Sequence, residues 1–278
     1  MKIKNLLFLP LLVLSTLCWA NGVHYDVFLL VGQSNMDGRG KVADLSGDLA
    51  RYAAPLPGVL INASINGLRR PLILSKGFEP LQPGFTGTVG PGAVPNPPFP
   101  SGLFGPELSF GHAMATALPD KHLLLIKCAE GGTNLQKDWN PKQPDKLYQR
   151  FIEFVHSSQK TIESQGDTFV IRGLLWHQGE SDAGQPIGTY KNSLTAFINS
   201  ARSDLGVPKL PILIGQVYNN GKRDNIFADQ KTIVGTMPET YLVESAGLET
   251  WDHGTHFDAK SQIELGKRFA GEMLKHLP

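Results

Sequence analysis

The sequence predicts one α/β domain in three layers, an α/β/α sandwich with helices on both faces of a parallel sheet. Apolar runs of strand length alternate along the chain with segments that have helical periodicity. The runs are apolar at nearly every position, which is typical of strands buried on both faces. The length of 278 residues is enough for one well-packed domain and is short for two.

Five apolar runs are the predicted strands, and each is followed by a candidate helix. The runs are Tyr25–Val31, His122–Cys128, Thr168–Trp176, Leu210–Val217 and Thr240–Glu244. The helical segments are Glu107–Ala117, Leu147–Gln165, Thr189–Leu205, Asn225–Val234 and Ala259–Leu277. The last helix is the clearest, because apolar side chains recur every three or four residues and Asp258 stands at the N-cap position.

The range 41–104 interrupts this alternation. It holds ten of the twenty prolines, many glycines and little periodicity. A long segment without regular structure is unusual in a compact domain and commonly lines a functional site. A poorly ordered insertion is the alternative, and the sequence alone does not separate the two interpretations.

Residues 1–20 have the features of a secretory signal peptide. Two lysines precede an apolar run at 6–17, and small residues stand three and one positions before a possible cleavage site after Ala20. The run is short for a membrane span, which takes ~20 apolar residues. We therefore expect a secreted or periplasmic protein whose domain occupies 21–278 and which keeps no stable membrane anchor. An uncleaved N-terminal anchor is the alternative.

The composition is that of a soluble globular protein and excludes a disordered one, with 41% hydrophobic and 18% charged residues. The 26 basic and 25 acidic side chains nearly balance, and no basic run stands out as a nucleic-acid-binding surface. Removal of 1–20 leaves Cys128 as the one cysteine, so no internal disulfide is expected. Because Cys128 ends an apolar stretch, we expect it to be a buried small apolar residue.

Two motifs follow the first and second predicted strands. Gly-Gln-Ser-Asn-Met at 32–36 places Ser34 at a strand-to-helix turn, where its hydroxyl can project above the sheet edge that binds ligands. A helix cap is the alternative role for this serine. After the second strand, Gly131 and Gly132 leave backbone N–H groups free to meet a developing oxyanion, although a plain turn would also explain them.

Two further polar motifs follow the third strand and precede the last helix. Trp-His-Gln-Gly-Glu-Ser-Asp at 176–182 offers Gln178 as an amide donor and Glu180 as a carboxylate that orients a histidine. A structural polar network is the alternative. The segment 251–258 supplies a histidine that can accept a serine proton when a carboxylate fixes its tautomer. No cysteine or further histidine stands at metal-ligand spacing there, so a metal is not expected.

Together the four motifs resemble those of serine hydrolases with the flavodoxin-like SGNH fold. In detail they are similar to the sialate O-acetylesterase-like and family 6 carbohydrate esterase branch, where Gly-Gln-Ser-Asn-Met replaces the usual Gly-Asp-Ser. Phe-Gly-Pro-Glu at 104–107 and Gly-Gly-Thr at 131–133 are similar to that branch as well. The resemblance covers essentially all of 21–278 and implies a five-stranded parallel sheet in the order 2-1-3-4-5.

The resemblance also implies the roles of individual residues. Ser34 is the nucleophile and His256 the general base. The implied oxyanion hole consists of the Ser34 N–H, the N–H of Gly131 or Gly132, and the side chain of Gln178.

The carboxylate that orients His256 stays open at this point. The acid of the family usually stands three residues before the histidine, but His253 occupies that position here and Asp252 stands four before. Asp252 would reach the ring through a bulged loop. Glu180, which follows the same strand as the predicted amide donor, is the alternative.

The expected function is that of a secreted serine esterase that removes O-acetyl groups from carbohydrate through an acyl-enzyme, without a cofactor or a metal. The expected partner is an acetylated carbohydrate. An inactive carbohydrate-binding protein of the same fold is the alternative, but it predicts loss of the serine, histidine or glutamine, and all are present. A phosphate-binding module fits the first loop poorly. The near-neutral charge gives no preference between sialic acid esters and acetylated polysaccharides such as xylan.

Overall fold

A computed structural model describes residues 22–87 and 101–277, and the predicted signal peptide at 1–20 lies outside these residues. Strands and helices alternate along the described chain. The strands are β1 (His24–Gly32), β2 (Gly40–Lys41), β3 (Leu56–Ile65), β4 (Ile73–Leu74), β5 (Glu79–Leu81), β6 (Leu103–Phe104), β7 (His122–Ala129), β8 (Thr168–His177), β9 (Ile212–Gly215) and β10 (Thr240–Val243).

The central sheet is mostly parallel. Its parallel strands lie in the order β3-β7-β1-β8-β9-β10, and the short strands β4 and β5 pair antiparallel with β3. The five predicted strands correspond to β1, β7, β8, β9 and β10, which have the predicted spatial order. Because β7 lies on one side of β1 and β8 on the other, the winding of the chain reverses at β1. Open α/β sheets bind ligands at such a reversal, beyond the carboxyl ends of the strands.

One parallel strand more than the expected five is present, since β3 lies within the range 41–104 that showed little periodicity. Its apolar run is interrupted by Asn62, a residue that is depleted in strands. Asn62 is nevertheless buried, because its Nδ2 donates to Ser158 Oγ at 3.0 Å and its Oδ1 accepts from Ser75 Oγ at 2.7 Å. These partners come from other elements, so the sequence around β3 does not reveal them.

Helices cover both faces of the sheet. Side chains of α2 and α7 pack on one face, and those of α4, α5 and α6 pack on the other. No helix within the described residues is long and apolar enough to cross a membrane. The helices are α1 (Ser34–Asp37), α2 (Glu107–Ala117), α3 (Leu135–Asp138), α4 (Leu147–Ser164), α5 (Thr189–Asp204), α6 (Asp224–Thr236) and α7 (Ala259–Met273).

The central strand β1 separates the two apolar cores. Val27, Leu29 and Val31 pack into the core beneath α4, α5 and α6. Phe28 and Leu30 pack into the core beneath α2 and α7. Successive side chains of a strand point to opposite faces, so a strand that is apolar throughout supplies both cores. The predicted three-layer α/β/α architecture is confirmed.

The carboxyl ends of β1, β7 and β8 meet at one edge of the sheet. Gly32 at the end of β1 pairs with Ala129 on one side and with His177 on the other. A Cβ atom at Gly32 would lie 2.1 Å from the carbonyl oxygen of His177, so a side chain there would prevent the approach of the two strands. The loops that carry the first three motifs therefore leave the sheet side by side.

Candidate active site

The edge where β1, β7 and β8 end opens into a cavity of about 590 Å³. Residues from all four sequence motifs line it: Gln33, Ser34, Gly131, Gly132, Glu180, Ser181, Trp251, Thr255 and His256. Leu103 and four basic residues complete the wall: Arg39, Lys41, Arg70 and Arg223. The cavity thus brings together the predicted nucleophile, the predicted base and both glycines.

Ser34 begins α1 directly after β1 and is 3% exposed. The backbone N–H of Gln33 donates to the carbonyl oxygen of His177 at 3.0 Å, which fixes the turn before the serine. The Nε2 atom of Gln33 lies 3.5 Å from Ser34 Oγ. The hydroxyl therefore lies at the cavity wall on a strand-to-helix turn, the arrangement expected of a serine nucleophile.

The two glycines after β7 differ in their surroundings. A Cβ atom at Gly131 would lie 3.3 Å from Ser34 Cβ and 2.6 Å from a guanidinium nitrogen of Arg39. Gly132 has φ +77°, and the nearest described atom to a Cβ there would be Arg69 Nη1, at 3.9 Å. Of the two, Gly131 is the one whose missing side chain lets the backbone approach the serine.

His256 contacts Asp252, four residues before it. Asp252 Oδ2 lies 2.6 Å from His256 Nδ1, and Oδ1 accepts from the N–H groups of Thr255 and His256 at 3.0 and 2.8 Å. Between them, His253 has φ +59°, in the left-handed region that tight turns use. This turn brings the carboxylate to the ring despite the extra residue, so Asp252 is the one of the two candidate carboxylates that hydrogen-bonds the imidazole.

The surroundings of this pair keep the histidine neutral. Burial lowers the pKa of His256 below 6.5, and the charge of Arg39 lowers it further, against the opposing effects of Asp252 and Glu180. Burial would raise the pKa of Asp252, but hydrogen bonds from the backbone of His256 and Thr255 and from the His256 ring outweigh it and lower that pKa. At neutral pH the carboxylate is ionised and the imidazole is unprotonated, as a general base must be.

Glu180 is held by an amide rather than by the predicted base. Its Oε1 accepts from Asn35 Nδ2 at 2.6 Å and lies 3.4 Å from His177 Nε2. Burial would raise the pKa of Glu180, but His177 and Asn35 lower it to about 2, so the carboxylate is ionised. Asn35 also donates to the carbonyl oxygen of Thr255 at 2.9 Å and accepts from the N–H of Phe257 at 3.0 Å. Glu180 thus reaches the loop of the predicted base through Asn35.

Gln178 is fully buried behind the cavity wall. Its Nε2 donates to the Thr133 carbonyl oxygen at 2.9 Å and to Asp182 Oδ2 at 2.5 Å, and it lies 3.1 Å from Gln33 Oε1. A side-chain amide has two N–H donors, and these acceptors use both. Gln178 reaches Ser34 through Gln33. Its direct donation to an oxyanion stays a prediction.

Two of the basic residues that line the cavity are buried arginines with bonds to its loops. Arg223 is 6% exposed and donates to the Gly254 carbonyl oxygen at 2.8 Å and to Thr255 Oγ1 at 2.9 Å. Arg39, also 6% exposed, pairs with Asp37 Oδ2 at 2.7 Å. The first arginine holds the loop before α7, and the second places a positive charge beside Ser34, the predicted nucleophile.

Sequence reasoning missed four of these residues: Gln33, Asn35, Arg39 and Arg223. The first two flank the serine inside the first motif, and the third closely follows that motif, so nearness to the serine was the available signal. The fourth stands in a polar segment after the fourth predicted strand. Because that strand ends at the same sheet edge, its polar loop was the signal there.

Cys128 is not among the residues that line the cavity. Within residues 22–87 and 101–277, no group of three or more His, Cys, Asp or Glu side chains is arranged to hold a metal ion. Cys128 is buried, as predicted, and burial raises the pKa of its thiol. The thiol therefore packs as a small apolar group.

Comparison with known proteins identifies the family. A family model described as "Carbohydrate esterase, sialic acid-specific acetylesterase" matches residues 24–275. The chain belongs to this family. As a member of this family, the protein is a carboxylic ester hydrolase. The family resemblance predicted from the four motifs is confirmed.

Individual proteins are similar to this chain over most of its length. A probable carbohydrate esterase of Arabidopsis thaliana is 29% identical over 259 residues, which cover 90% of this chain and 91% of the relative. The X-ray structure of an Arabidopsis thaliana protein has a TM-score of 0.68 at 25% identity and covers 91% of this chain and 99% of its own. NanS shares the fold at 16% identity, with a TM-score of 0.66 and coverage of 92% and 98%. A carbohydrate acetylesterase of Xanthomonas citri shares it at 19% identity, with a TM-score of 0.61 and coverage of 91% and 56%.

Proposed function

We propose that the protein is a secreted serine esterase that removes O-acetyl groups from carbohydrate through an acyl-enzyme intermediate. One observation carries the mechanism: Ser34 and His256 line the same cavity, and Asp252 holds the far ring nitrogen of the histidine. Membership in the sialic acid-specific acetylesterase family supports acetyl esters of carbohydrate as the substrates.

The reaction proceeds in two transfers of the acetyl group. Ser34 Oγ attacks the carbonyl carbon while the His256 ring accepts the hydroxyl proton. Collapse of the tetrahedral intermediate breaks the bond to the sugar oxygen, which takes the proton from the imidazolium. Water then attacks the acyl-enzyme, gives a proton to the ring, and releases acetate as the serine regains its hydrogen. Asp252 keeps the reactive tautomer and stabilises the imidazolium in both transfers.

The negative charge of each tetrahedral intermediate requires donors beside Ser34. We assign the backbone N–H groups of Ser34 and Gly131, because Gly131 lies next to the serine. A side-chain amide is the third donor. Gln178 is the residue that the resemblance implies, and Gln33 is the one whose Nε2 lies 3.5 Å from Ser34 Oγ.

The charge of the cavity favours an acidic sugar as the acetyl carrier. Lys41, Arg70 and Arg223 line it, and none of them has a carboxylate within 4.0 Å among the described residues. The wall also holds the ionised carboxylate of Glu180, so the lining has more positive than negative charges. A cleft with a net positive lining concentrates anionic ligands. Esters of sialic acid therefore fit better than acetyl groups on neutral xylan.

Arg70 is the basic residue best placed to select such a ligand. The backbone N–H groups of Leu68, Arg69 and Arg70 donate to the buried carboxylate of Glu130 at 2.8, 2.7 and 3.1 Å. The Arg70 guanidinium donates to the Gly131 carbonyl oxygen at 3.0 Å. These bonds hold the side chain at the cavity wall beside the predicted oxyanion glycine.

A panel of acetylated sugars assayed for acetate release tests the proposal. O-acetylated sialic acid and acetylated xylan are compared, with an aryl acetate as a reporter of the chemical step. We expect a higher kcat/KM for the acidic sugar, and a preference that shrinks as the salt concentration rises. Ser34→Ala should lower aryl acetate turnover by roughly 10³-fold or more. Ser158→Ala, which alters a buried serine outside the cavity, is the control.

Three results would count against the proposal. A folded Ser34→Ala enzyme with wild-type turnover would remove the nucleophile, and a panel without acetate release would favour the carbohydrate-binding alternative. Arg70→Ala should raise KM for the acidic sugar ester by about 10-fold, the value of one charge-assisted hydrogen bond, and leave the aryl acetate KM nearly unchanged. An unchanged KM for both substrates would place the charge selection elsewhere.

Secretion has its own test. The segment 1–20 predicts export and cleavage after Ala20. Mass spectrometry of the protein expressed with its leader should find a mature N-terminus at residue 21 outside the cytoplasm. A full-length chain retained in the cytoplasm would contradict this.

A further inference from the structure

Asn35 directly follows the nucleophile and is fully buried, at 0% exposure. Its Nδ2 donates to the carbonyl oxygen of Thr255 at 2.9 Å and to Glu180 Oε1 at 2.6 Å. Its Oδ1 accepts from the N–H of Phe257 at 3.0 Å. Thr255 and Phe257 are the two neighbours of His256 in the chain, so one amide group holds the backbone on both sides of the predicted base.

The orientation of this amide is determined by its surroundings. Both N–H donors of Asn35 face acceptors, a carbonyl oxygen and a carboxylate, while the amide oxygen faces a backbone N–H. Turning the amide over would place its oxygen against both acceptors. A buried hydrogen bond to a charged acceptor also contributes more than one between neutral groups. The amide is therefore held in one orientation.

Glu180 anchors the amide from the loop after β8. Its carboxylate occupies one N–H of Asn35 and leaves the other for the carbonyl oxygen of Thr255. The Nε2 atom of His177 lies 3.4 Å from the same carboxylate oxygen. The loops after β1 and β8 and the loop before α7 thus meet at a single side chain.

We propose that Asn35 is a positioning residue that fixes His256 relative to Ser34, with Glu180 as the anchor of its amide. The inference rests on the proposed function, because it assigns how the base is held at the nucleophile. A misplacement of about 1 Å at a reacting group can cost about 10²-fold in rate. The loss of Asn35 should therefore lower kcat and leave KM nearly unchanged.

The pH profile distinguishes positioning from a purely structural role. The charged groups acting on the His256 ring are Arg39, Asp252 and Glu180, and they remain when Asn35 is removed. Burial is the largest cause that lowers the pKa of His256, so a ring released toward solvent regains a higher pKa. Since the base must be unprotonated, the acid limb of kcat/KM should move to higher pH.

Asn35→Ala is the first variant. We expect kcat for an aryl acetate to fall about 10²-fold, with KM within about threefold of wild type. Asn62→Ala is the matched control, because it also removes a buried asparagine with two side-chain hydrogen bonds but lies in β3, outside the cavity wall. The control should lose thermal stability and keep kcat within about twofold.

Substitutions at both Asn35 and Glu180 test whether Glu180 anchors the amide of Asn35. Asn35→Asp places two carboxylates together and removes the donor to the Thr255 carbonyl oxygen. Adding Glu180→Gln restores a donor between the two side chains and keeps the acceptor for Phe257, while the bond to Thr255 stays lost. The double variant should recover about tenfold of the turnover lost in Asn35→Asp. If the double variant has no higher kcat than Asn35→Asp, Glu180 is not the anchor. If Asn35→Ala lowers kcat no more than Asn62→Ala does, Asn35 is not a positioning residue.

An NMR titration of the His256 ring needs no substrate and separates this inference from the proposed function. An unshifted ring pKa in Asn35→Ala overturns the positioning role whatever the enzyme hydrolyses. Wild-type turnover in Ser34→Ala overturns the proposed function and leaves the NMR result standing.

Discussion

Two histidine–carboxylate pairs in the motifs of the candidate active site have similar spacing in sequence and different surroundings. His177 and Glu180 lie 3.4 Å apart with side chains 0% and 2% exposed, and we call them the buried pair. His256 and Asp252 lie 2.6 Å apart with side chains 25% and 24% exposed, and we call them the open pair. His256 lines the cavity, whereas the His177 ring packs edge-to-face against Phe257.

If the proposed function holds, a carboxylate beside a histidine is not sufficient for a catalytic pair. The histidine must also line the space that a substrate enters, and of the two rings the one in the open pair does so. The buried pair holds Asn35 instead, and through it the loop of the open pair. One pair therefore has the geometry for chemistry, and the other has the geometry of a support.

Replacing the carboxylate of each pair should give the largest difference in kcat between the two pairs. Asp252→Asn is expected to lower kcat by up to ~10⁴-fold, because the wrong histidine tautomer then dominates. Glu180→Gln, which is equally isosteric, should lower kcat about tenfold by loosening Asn35. The measurement is kcat for an aryl acetate against pH. Asp252→Asn should also lower the apparent pKa of the base, since the imidazolium loses its counter-charge.

The reverse order of losses would exchange the roles of the two pairs. Small and equal losses would mean that His256 acts in a dyad, with neither carboxylate orienting the ring. Thermal unfolding of both variants checks that each effect arises in the folded protein.

The two candidate side-chain donors to the oxyanion also divide between the two regions. Gln178 belongs to the loop of the buried pair, and Gln33 lines the cavity. Loss of one donor costs about 3 kcal/mol, or ~10²-fold in kcat. We expect this loss in Gln33→Ala, and a loss in Gln178→Ala that acts through Gln33. The double variant should then lose no more than Gln33→Ala alone. Additive losses would show instead that Gln178 donates independently, as the resemblance implies.

The smallest expected effect concerns the pH dependence of the open pair. Burial lowers the pKa of His256, and the positive charge of Arg39 lowers it further. Arg39→Gln removes that charge, so the pKa of the base rises and the acid limb of kcat/KM moves to higher pH. Arg39→Lys keeps the charge and should keep the limb in place. If the limb does not move in Arg39→Gln, the charge of Arg39 does not lower the pKa of His256, and burial is the cause that does.

The fold was largely predictable because a sheet covered on both faces requires continuous apolar strands. β1, β7, β8, β9 and β10 have this pattern, and the pattern identified them. β3 does not, because Asn62 interrupts its apolar run and takes its hydrogen bonds from Ser75 and Ser158. Partners that are remote in sequence can make a buried position for a polar residue, and a local pattern does not report them.

At the site, the sequence by itself determined which residue types stand at the carboxyl ends of the parallel strands. Strand pairing then brings Ser34, Gly131 and the loop after β8 to one level, since Gly32 pairs with both neighbouring strands. Only the tertiary structure decided which carboxylate contacts His256 and what the other one does. The left-handed turn at His253 carries Asp252 to the ring. Hydrogen bonds depend on direction and on distances of a few tenths of an ångström, and such geometry arises when loops distant in sequence pack together.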